Sequence, residues 1–359
     1  MRFYRITITD ASGKLWTPPG ASPGLLGGAS YTSFINNVTI AEAWDINLDL
    51  SVIGEATPQG YGGVTVWGVS VQEINQAQNL VGKNMKIEAG FQRGLPLAKP
   101  GQSGVVYEGM IYQCFGNWIG TDMRLDFVVT PCASTPSTVG GTGMLDRSQQ
   151  KNFQLDWPGG TALKPALLNC LQNAYKGYTI NINISDAIVA RQGDHITGPY
   201  STLGQLSQDI RDISRTIIDP RGETGYPGVT IFGHGTTIDV FDSPSQSKKT
   251  VPIEFNELIG QPTWIDYPLI QFKTPMRADL TVGQQITLPK TQVTNTTAAF
   301  SNQVNQNATF KGGFWIYSIR HCGSYRQPLE DAWVSVFEAA PLKPVQQTGT
   351  TIAPGEVRD

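Results

Sequence analysis

The chain has 359 residues, a formal net charge of −3 at pH 7 and a sequence pI near 5.7. A groove for nucleic-acid phosphates requires clustered Lys and Arg, and because the sequence has no basic run, the composition argues against such a groove. Charged residues make up only 15% of the chain, and 39 Gly and 23 Pro indicate many turns. A weakly charged, turn-rich surface favours large polar contacts, so we expect a component of an assembly.

The length and the amino terminus narrow the class of protein further. Hydrophobic cores stop growing near roughly 250–300 residues, so we expect two or three domains. The opening segment lacks the apolar run of a signal peptide, and no stretch approaches the roughly 18 apolar residues of a membrane helix. We therefore expect a protein made in a reducing cytoplasm, without membrane insertion. The scattered cysteines predict reduced structural thiols and no metal site; they are Cys114, Cys132, Cys170 and Cys322.

Residues 1–132 are predicted to form a first β domain. Residues 2–9 alternate between apolar and polar side chains, as half-buried strands do. The D-x-N-x-D run from Asp45 could begin a calcium loop, but Leu50 stands where that loop needs Gly and Ala56 where it needs Glu. A strand with one solvent-facing side explains the run instead. Further strands are predicted at 64–69, 84–91, 105–115 and 124–130.

One short helix interrupts these strands, and a linker follows them. Ser70 and Glu73 have the spacing of a capping box, an apolar stripe comes next, and Gly82 suits a helix end. Residues 133–155 have the composition of a linker. Their glycines lack the GxGxxG or GKS/T spacing of a phosphate-binding loop, so we predict no cofactor site there.

Residues 156–243 are predicted to form a small α/β module. The apolar period becomes helical from Thr161, and Gly177 suits the end of that helix. A strand is predicted at 178–185, followed by a second amphipathic helix that carries the apolar stripe Leu203, Leu206, Ile210, Ile213 and Ile217. Two closing strands around a Gly-His-Gly turn complete a helix-strand-helix-strand-strand order.

Residues 244–340 are predicted to form a second β domain. Ile270 and Phe272 alternate with polar residues, and further apolar residues recur across a turn at Val282-Gly283. Residues 313–337 repeat the alternation, so the two halves could close an antiparallel barrel. A polar stretch from 291 to 309 has no apolar period and is interpreted as a long loop, and 341–359 form a carboxy-terminal tail. The expected fold is therefore mainly β, with two antiparallel β-barrels flanking an α/β module.

Motifs for catalysis are absent from the sequence. There is no GxSxG or HExxH motif, so we predict no catalytic residues and no cofactors. The pairs Asp239 with Asp242 and Glu254 with Glu257 are the candidates for the two carboxylates of a glycosidase, although sequence alone does not supply their separation. A cell-wall hydrolase or a glycan-binding protein therefore remains an alternative.

Two tryptophans are candidates for an interface with a partner. Trp118 in FGNWIGT and Trp264 in GQPTWID occur among Gly and Pro, where we expect loops, and an aromatic residue in a loop often anchors a partner. Local packing is the alternative for both. The remaining tryptophans in apolar strand patterns, Trp44, Trp67 and Trp333, are interpreted as core.

Several segments together resemble the baseplate hub proteins of contractile-tailed bacteriophages. They are AGFQRGLPLA (89–98), FGNWIGT (115–121), PYSTLGQLSQDIR (199–211), LIGQPTWI (258–265), GFWIYSIRHCGSYRQP (313–328) and DAWVSVFEA (331–339). The resemblance spans most of the chain and thins at 133–155, at 291–309 and beyond 341.

This resemblance implies a specific structural role. The two β domains would be barrels similar to a tail-tube subunit, and a homotrimer would present six barrels in a ring around a lumen for DNA. The implied partners are the tail tube, the central spike, the tape measure protein and baseplate wedge components, within a virion assembled in the host bacterial cytoplasm. A different tail component, such as a tube or wedge protein, is the other alternative.

Overall fold

Two regions of β strands and an α/β module make up the described part of the chain. The structure is a computed structural model. It describes residues 1–21, 26–36, 38–53, 62–91, 99–131, 153–222, 226–242, 250–266, 269–289, 313–329 and 331–342. The predicted loop at 291–309, most of the linker and most of the tail lie outside these residues. In the described residues, no helix is long and apolar enough to cross a membrane.

The first β region contains nine of the described strands and one short helix. The strands are β1 (Arg2–Thr9), β2 (Tyr31–Thr32), β3 (Phe34–Ile35), β4 (Val38–Thr39), β5 (Asp45–Ile53), β6 (Gly62–Trp67), β7 (Asn84–Phe91), β8 (Gly104–Ile119) and β9 (Asp122–Thr130), and the helix is α1 (Val71–Asn75). The α/β module contains β10 (Phe153–Pro158), α2 (Leu163–Ala174), β11 (Thr179–Asn183), β12 (His195–Tyr200), α3 (Leu203–Ile218), β13 (Thr230–His234) and β14 (Thr237–Phe241). The second β region contains β15 (Val251–Pro252), β16 (Thr263–Asp266), β17 (Leu269–Pro275), β18 (Gln285–Thr287), β19 (Gly313–Ser324) and β20 (Trp333–Pro341).

A single large sheet joins the two β regions. Its strand order is β16-β17-β20-β19-β5-β6-β9-β8-β7-β1-β2, and β15 and β18 attach beside β19. The joining pair is β5 with β19, which are antiparallel from Ile53 opposite Ser318 to Asn47 opposite Ser324. The prediction of a mainly β fold with an α/β insert is confirmed. The structure adds that both β regions share one sheet, so they are not two independent sheets.

The long strand β19 makes this junction possible. Near its start, Phe314 pairs with Ile286 of β18, within the second β region. Further along the same edge, the strand pairs with β5 of the first region instead. On its other edge it pairs with β20 throughout, apart from an irregularity between Ile316 and Ser318. One strand therefore carries the hydrogen bonding from one region into the other.

The first hydrophobic core is completed by residues from the second β region. Alternate residues of the early strands point inward, as the period of two requires, and include Ile6 of β1 and Leu48 of β5. Met276 and Trp333 belong to the same cluster although they lie far later in the chain. The indole N–H of Trp333 donates to the carbonyl of Gly90 at 3.2 Å. The early strands therefore depend on late ones for a full core.

The chain after β19 also covers the end of the first region. The Arg2 guanidinium donates to the carbonyls of Ser324, at 3.2 Å, and Leu329, at 2.7 Å. The Tyr325 ring packs edge-to-face on Tyr4, with 5.0 Å between ring centroids. These contacts tie the amino-terminal strand to the connection between β19 and β20.

The α/β module has its own core and two small sheets. Strands β10 and β12 pair antiparallel, and β11, β14 and β13 form the second sheet, with β11 parallel to β14. Both predicted helices are confirmed, since the buried residues of α2 are Leu163, Leu167, Cys170 and Leu171 and those of α3 include Leu203, Leu206 and Ile210. Strands β10 and β12 were not predicted. Their short alternations, such as buried Phe153, Leu155 and Trp157, begin inside the segment assigned to the linker.

The capping box at Ser70 is confirmed, but the helix is shorter than predicted. The Ser70 N–H donates to Glu73 Oε2 at 2.7 Å, and the Glu73 N–H donates back to Ser70 Oγ at 3.3 Å. The α-helix ends at Asn75, and a 3-10 turn spans Ala77–Leu80 before Gly82, which has a φ of 84°. Tyr31 donates its hydroxyl to Glu73 Oε1 at 2.9 Å, so this buried carboxylate is held by tertiary contact as well.

The second β region contains less strand than predicted. Leu280 and Val282 are buried as expected, and Val282 lies in the predicted turn with Gly283, but neither residue belongs to a strand, and β18 contains three residues. The Gly283 N–H donates to the carbonyl of Ile316 at 2.6 Å, and Gln284 closes a turn onto Thr281 at 3.0 Å. Apolar alternation predicted burial correctly here, but burial alone does not give strand pairing, and neither Leu280 nor Val282 joins a ladder. The proposed domain boundaries at 132, 155 and 243 stay predictions.

Replacing Trp333 with Ala should destabilise the whole β portion of the protein. Trp333 is 1% exposed and packs in the first core, so its truncation should cost about 3–5 kcal/mol in the free energy of unfolding. Urea denaturation followed by tryptophan fluorescence measures this. Trp118→Ala is the matched control, because that side chain is mostly exposed, and it should change stability by less than about 0.5 kcal/mol. Equal losses in both variants would contradict a shared core.

Candidate assembly interface

Trp118 lies at the tip of a hairpin formed by β8 and β9. Its side chain is 67% exposed, and its indole N–H donates to the carbonyl of Gly120 at 3.0 Å. The expectation that Trp118 lies in a loop is wrong, since β8 continues to Ile119. The strand extends because Gly116 lets it pass close beneath α1, where an added Cβ would lie 2.6 Å from Ile74 Cγ2. Gly120, with a φ of 63°, then makes the turn.

The tip of this hairpin is unusually apolar for a solvent-exposed element. Phe115 is 45% exposed and Ile119 is 59% exposed, and both accompany Trp118. Phe115 and Ile119 share one face of the strand, whereas Trp118 lies on the other, because side chains alternate. Large apolar side chains exposed together mark contact surfaces more often than isolated ones do. The hairpin tip is therefore a candidate interface with apolar side chains on both faces.

Charges around the tip are mostly paired, with one exception. Arg124 and Asp126 form an ion pair at 3.0 Å, and the Arg124 guanidinium lies 4.8 Å from the centre of the Trp67 ring. Asn117 also donates to Asp126 at 2.5 Å. Asp122 is exposed and has no ion pair within the described ranges. The tip therefore presents apolar side chains together with one acidic group.

The second half of β8 has an open edge. Pairing with β7 ends where Asn84 meets Met110, whereas pairing with β9 continues to Ile119. As far as the structure describes the chain, residues 113–119 have no strand on their other side. A groove of about 260 Å³ lies between the start of this edge and the 3-10 turn, and its lining includes Gln78, Val81 and Gln113. Backbone groups along an open edge are available for pairing with another chain.

The segment around Trp264 forms an edge strand. Trp264 lies in β16, at one end of the large sheet, and therefore not in a loop as predicted. Its side chain lies outside the description, so the interface prediction for Trp264 stays a prediction. The neighbouring Ile265 is 51% exposed, and Phe255, in the 3-10 turn that precedes β16, is 70% exposed. This end of the sheet also combines an open edge with exposed apolar side chains.

A buried polar cluster holds the two β regions together. Gln102, from the first region, donates its amide to Glu257 Oε1 at 2.8 Å, and the Ala278 N–H donates to the Gln102 carbonyl at 2.7 Å. Arg277 lies 3.4 Å from Glu257 and holds Asp279 in a bidentate pair with two distances of 2.6 Å. Lys99 of the first region reaches Glu257 Oε1 at 3.1 Å. The cluster is therefore a charged link across the junction.

The environment of Glu257 stabilises its charged form. Burial alone would raise the pKa of this carboxyl, but the Glu254 N–H and the cations Lys99 and Arg277 outweigh burial and lower it. A glycosidase general acid needs the opposite shift, a raised pKa. Glu257 is therefore a structural anion in this arrangement, which disfavours the Glu254 and Glu257 pair as an acid and a base.

The other candidate carboxylates are also engaged in structural contacts. Asp242 is fully buried and accepts hydrogen bonds from Tyr226 at 2.7 Å and from the Ser185 N–H at 3.2 Å. Asp239 contacts the Asn181 amide at 2.9 Å and His234 Nε2 at 2.9 Å. Within the described residues, no group of three or more His, Cys, Asp or Glu is arranged to hold a metal ion.

His321 is a buried histidine that the sequence pattern did not distinguish. It lies on β19, is almost fully buried, and its Nδ1 is 2.8 Å from Ser335 Oγ on β20. Ser335 Oγ in turn accepts from the Arg277 N–H at 3.1 Å. Burial lowers the pKa of His321 to about 4, so the ring is neutral at physiological pH. Its role is to connect the central strands near the charged cluster.

The cysteines described by the structure have the character of structural thiols. Cys114, Cys170 and Cys322 are free, and burial raises the pKa of Cys114 to about 12 and that of Cys170 to about 11. Thiols with raised pKa values are poor nucleophiles at neutral pH. Cys132 lies outside the described residues.

Comparisons with known proteins give structural neighbours and no sequence match. No protein-family model matches the chain, and no curated protein matches it. One similar solved structure is a tail protein from Neisseria meningitidis, at 8% identity and a TM-score of 0.49, covering 94% of this chain and 96% of that one. Another is the 43 kDa tail protein of prophage MuSo2 from Shewanella oneidensis, at 7% identity and a TM-score of 0.47, covering 95% and 98%.

A third similar structure is a half-lidded Francisella PdpA–VgrG complex. The identity is 6% and the TM-score is 0.42, with 95% of this chain and 58% of that chain covered. This chain thus spans little more than half the length of that one. At these identities and TM-scores, the likenesses carry no inference about function.

Replacing Glu257 with Gln should weaken the link between the β regions. The substitution keeps the shape but removes the charge that faces Arg277 and Lys99, and a lost buried charged hydrogen bond costs about 2 kcal/mol. Chemical denaturation at pH 7 measures the free energy of unfolding. Glu254→Gln is the matched control, because Glu254 also reaches Lys99, at 3.3 Å, but is about half exposed. A loss in the control as large as that in Glu257→Gln would contradict a role for the buried cluster.

His321 should make the fold sensitive to acid. Because its pKa is about 4 in the folded state and about 6.5 in an unfolded chain, the unfolded state binds more protons between these pH values. Stability should therefore fall as pH drops from about 6.5 towards 4, by about 3 kcal/mol in total. Urea denaturation at several pH values should show this slope, and His321→Asn should flatten it. An unchanged slope in the variant would assign the acid sensitivity to other groups.

Proposed function

We propose that this chain is a structural hub of a contractile phage-tail baseplate, without catalytic turnover. In this role, three copies close a ring that joins the sixfold tail tube to the threefold central spike and leaves a lumen for DNA. The partners are a second and third copy, the tube, the spike, the tape measure protein and wedge components. The resemblance of segments such as LIGQPTWI and PYSTLGQLSQDIR to hub proteins is one support for this proposal.

The observation that carries the proposal is the continuous sheet across two β regions. Because β5 pairs with β19, each copy contributes two linked β regions held as one unit. Three such copies supply six β regions. A threefold ring could therefore present one β region to each of the six positions of a sixfold tube. Closed rings of identical chains use heterologous contacts, in which different surfaces of neighbouring copies meet. The open edges and exposed apolar side chains at β8 and β16 are suited to such contacts.

The weak charge of the chain agrees with a passage for DNA. A surface that retains DNA requires unpaired cations to release counterions. On the solvent-facing side of the β5 and β19 junction, Arg320 instead forms a bidentate pair with Asp49, with two distances of 2.7 Å. A paired cation of this kind offers little attraction to a passing phosphate backbone.

Electron microscopy of the full chain, alone and with the spike protein, tests the proposal. We expect threefold rings with six β lobes around a central opening, in at least the sample that contains the spike. Sixfold rings or open helical assemblies would indicate a tube or another tail component. Cleavage of peptidoglycan in a zymogram, or retention on purified sacculi, would instead support the cell-wall alternative.

A further inference from the structure

The β13–β14 hairpin of the α/β module has its two faces in two different hydrophobic cores. Ile231 and Val240, which are opposite each other in the hairpin, lie in the core of the module itself. Side chains alternate along a strand, so the neighbouring Phe232 and Phe241 point the other way. Each of them is 6% exposed and belongs to the core of the second β region. The module and the second β region therefore share this hairpin.

The contact between the module and the second β region is closely packed. Thr230 and Phe241 on the module side, with Gln285 and Trp315 on the other side, line a cavity of about 10 Å³. A cavity of that size holds at most about one water molecule. Separating the two parts would expose Phe232 and Phe241 to water, which is unfavourable for apolar surface.

The turn of the same hairpin reaches the first β region. The Gly235 N–H donates to the carbonyl of Pro131 at 2.8 Å and to that of Glu108 at 3.1 Å. Gly235 has a φ of 52°, and a Cβ added there would lie 3.0 Å from Cδ of Glu108. Glycine permits both the turn and this close approach. One hairpin thus contacts all three parts of the described chain.

The three cores depend on one another in one direction. The buried residues of the module core all lie between Phe153 and Val240, so neither β region contributes to it. The core of the second β region includes Phe232 and Phe241 from the module. The first core in turn includes Trp333, which lies far later in the chain. Only the module core is complete without the other two.

We propose that the β13–β14 hairpin is a coupling element that fixes the α/β module to both β regions, so that the three parts move and unfold together. Domains in one chain usually move relative to each other unless a large apolar contact joins them, and Phe232 and Phe241 supply an apolar contact here. Withdrawal of these two side chains frees the module as a folded unit and leaves the second β region with an incomplete core. The inference concerns a single copy and does not depend on the proposed hub function.

Hydrogen exchange of the full chain at increasing urea concentrations, read by mass spectrometry, tests the coupling. In the unaltered protein, the amides of α2 in the module and of β19 in the sheet should lose protection at one urea concentration. The double variant Phe232→Ala with Phe241→Ala should separate the two transitions. Protection of β19 should fall at least about a hundredfold, as expected for truncation of buried aromatic side chains. Helix α2 should lose protection at a higher urea concentration, because its own core is unchanged.

Val240→Ala is the matched control, because Val240 precedes Phe241 on the same strand but faces the module core. It weakens the module without removing the contact with the second β region. The transitions of α2 and β19 should therefore move to lower urea together and remain coincident. The comparison separates loss of coupling from a general loss of stability.

A distance measurement in the folded state gives a second readout that does not rely on a destabilised variant. In a chain carrying Cys132→Ser and Cys322→Ser, spin labels are placed at Gln72→Cys on α1 and Gln172→Cys on α2, which are both exposed helix positions. Pulsed electron paramagnetic resonance should give one narrow distance distribution between the first β region and the module. Adding Phe232→Ala and Phe241→Ala should broaden it.

Four outcomes would overturn this inference. They are separate transitions for α2 and β19 in the unaltered protein, coincident transitions in the double variant, separate transitions in Val240→Ala, and a broad distance distribution without the Phe substitutions. Each would show that the module is not fixed to the β regions through this hairpin.

Discussion

The backbone pairing of β5 with β19 is the constraint on which the rest of the structure depends. It joins segments about 270 residues apart, as the Asp49 and Arg320 pair on its surface illustrates with a separation of 271. That ion pair is exposed and contributes little by itself. The stability comes instead from the buried side, where Trp333 and Met276 complete a core begun by the amino-terminal strands. The two β regions consequently share one sheet and one hydrophobic core.

The polar groups buried near the junction determine geometry more than they add stability. Removing charges from water costs free energy, so a buried pair such as Glu257 with Arg277 is only weak evidence for stability. Because each partner would be costly to leave alone, we expect the cluster to favour one relative placement of the two β regions. His321 and Ser335 extend this polar contact between β19 and β20. The junction between the two β regions thus combines specific polar contacts with apolar packing.

The surface, unlike the interior, carries features suited to contacts with other chains. A chain with few charges that exposes aromatic and aliphatic side chains at open strand edges presents contact surfaces to other chains. Trp118 is held by its bond to Gly120, so little side-chain freedom would be lost on binding. A unit with two different open edges is suited to a closed ring, which agrees with the proposed hub role.

The sequence by itself determined the local elements, because their signals are local. Period two predicted β1, β5 and β7, helical period predicted α2 and α3, and the spacing of Ser70 and Glu73 predicted a cap. Only the tertiary structure decided how these elements combine. Apolar alternation marks a residue as buried but does not show what covers it. Leu280 therefore lies outside any strand, β8 continues through Trp118, and Trp333 packs in a core formed by remote strands. Strand pairing depends on contacts between remote residues, and no local period encodes them.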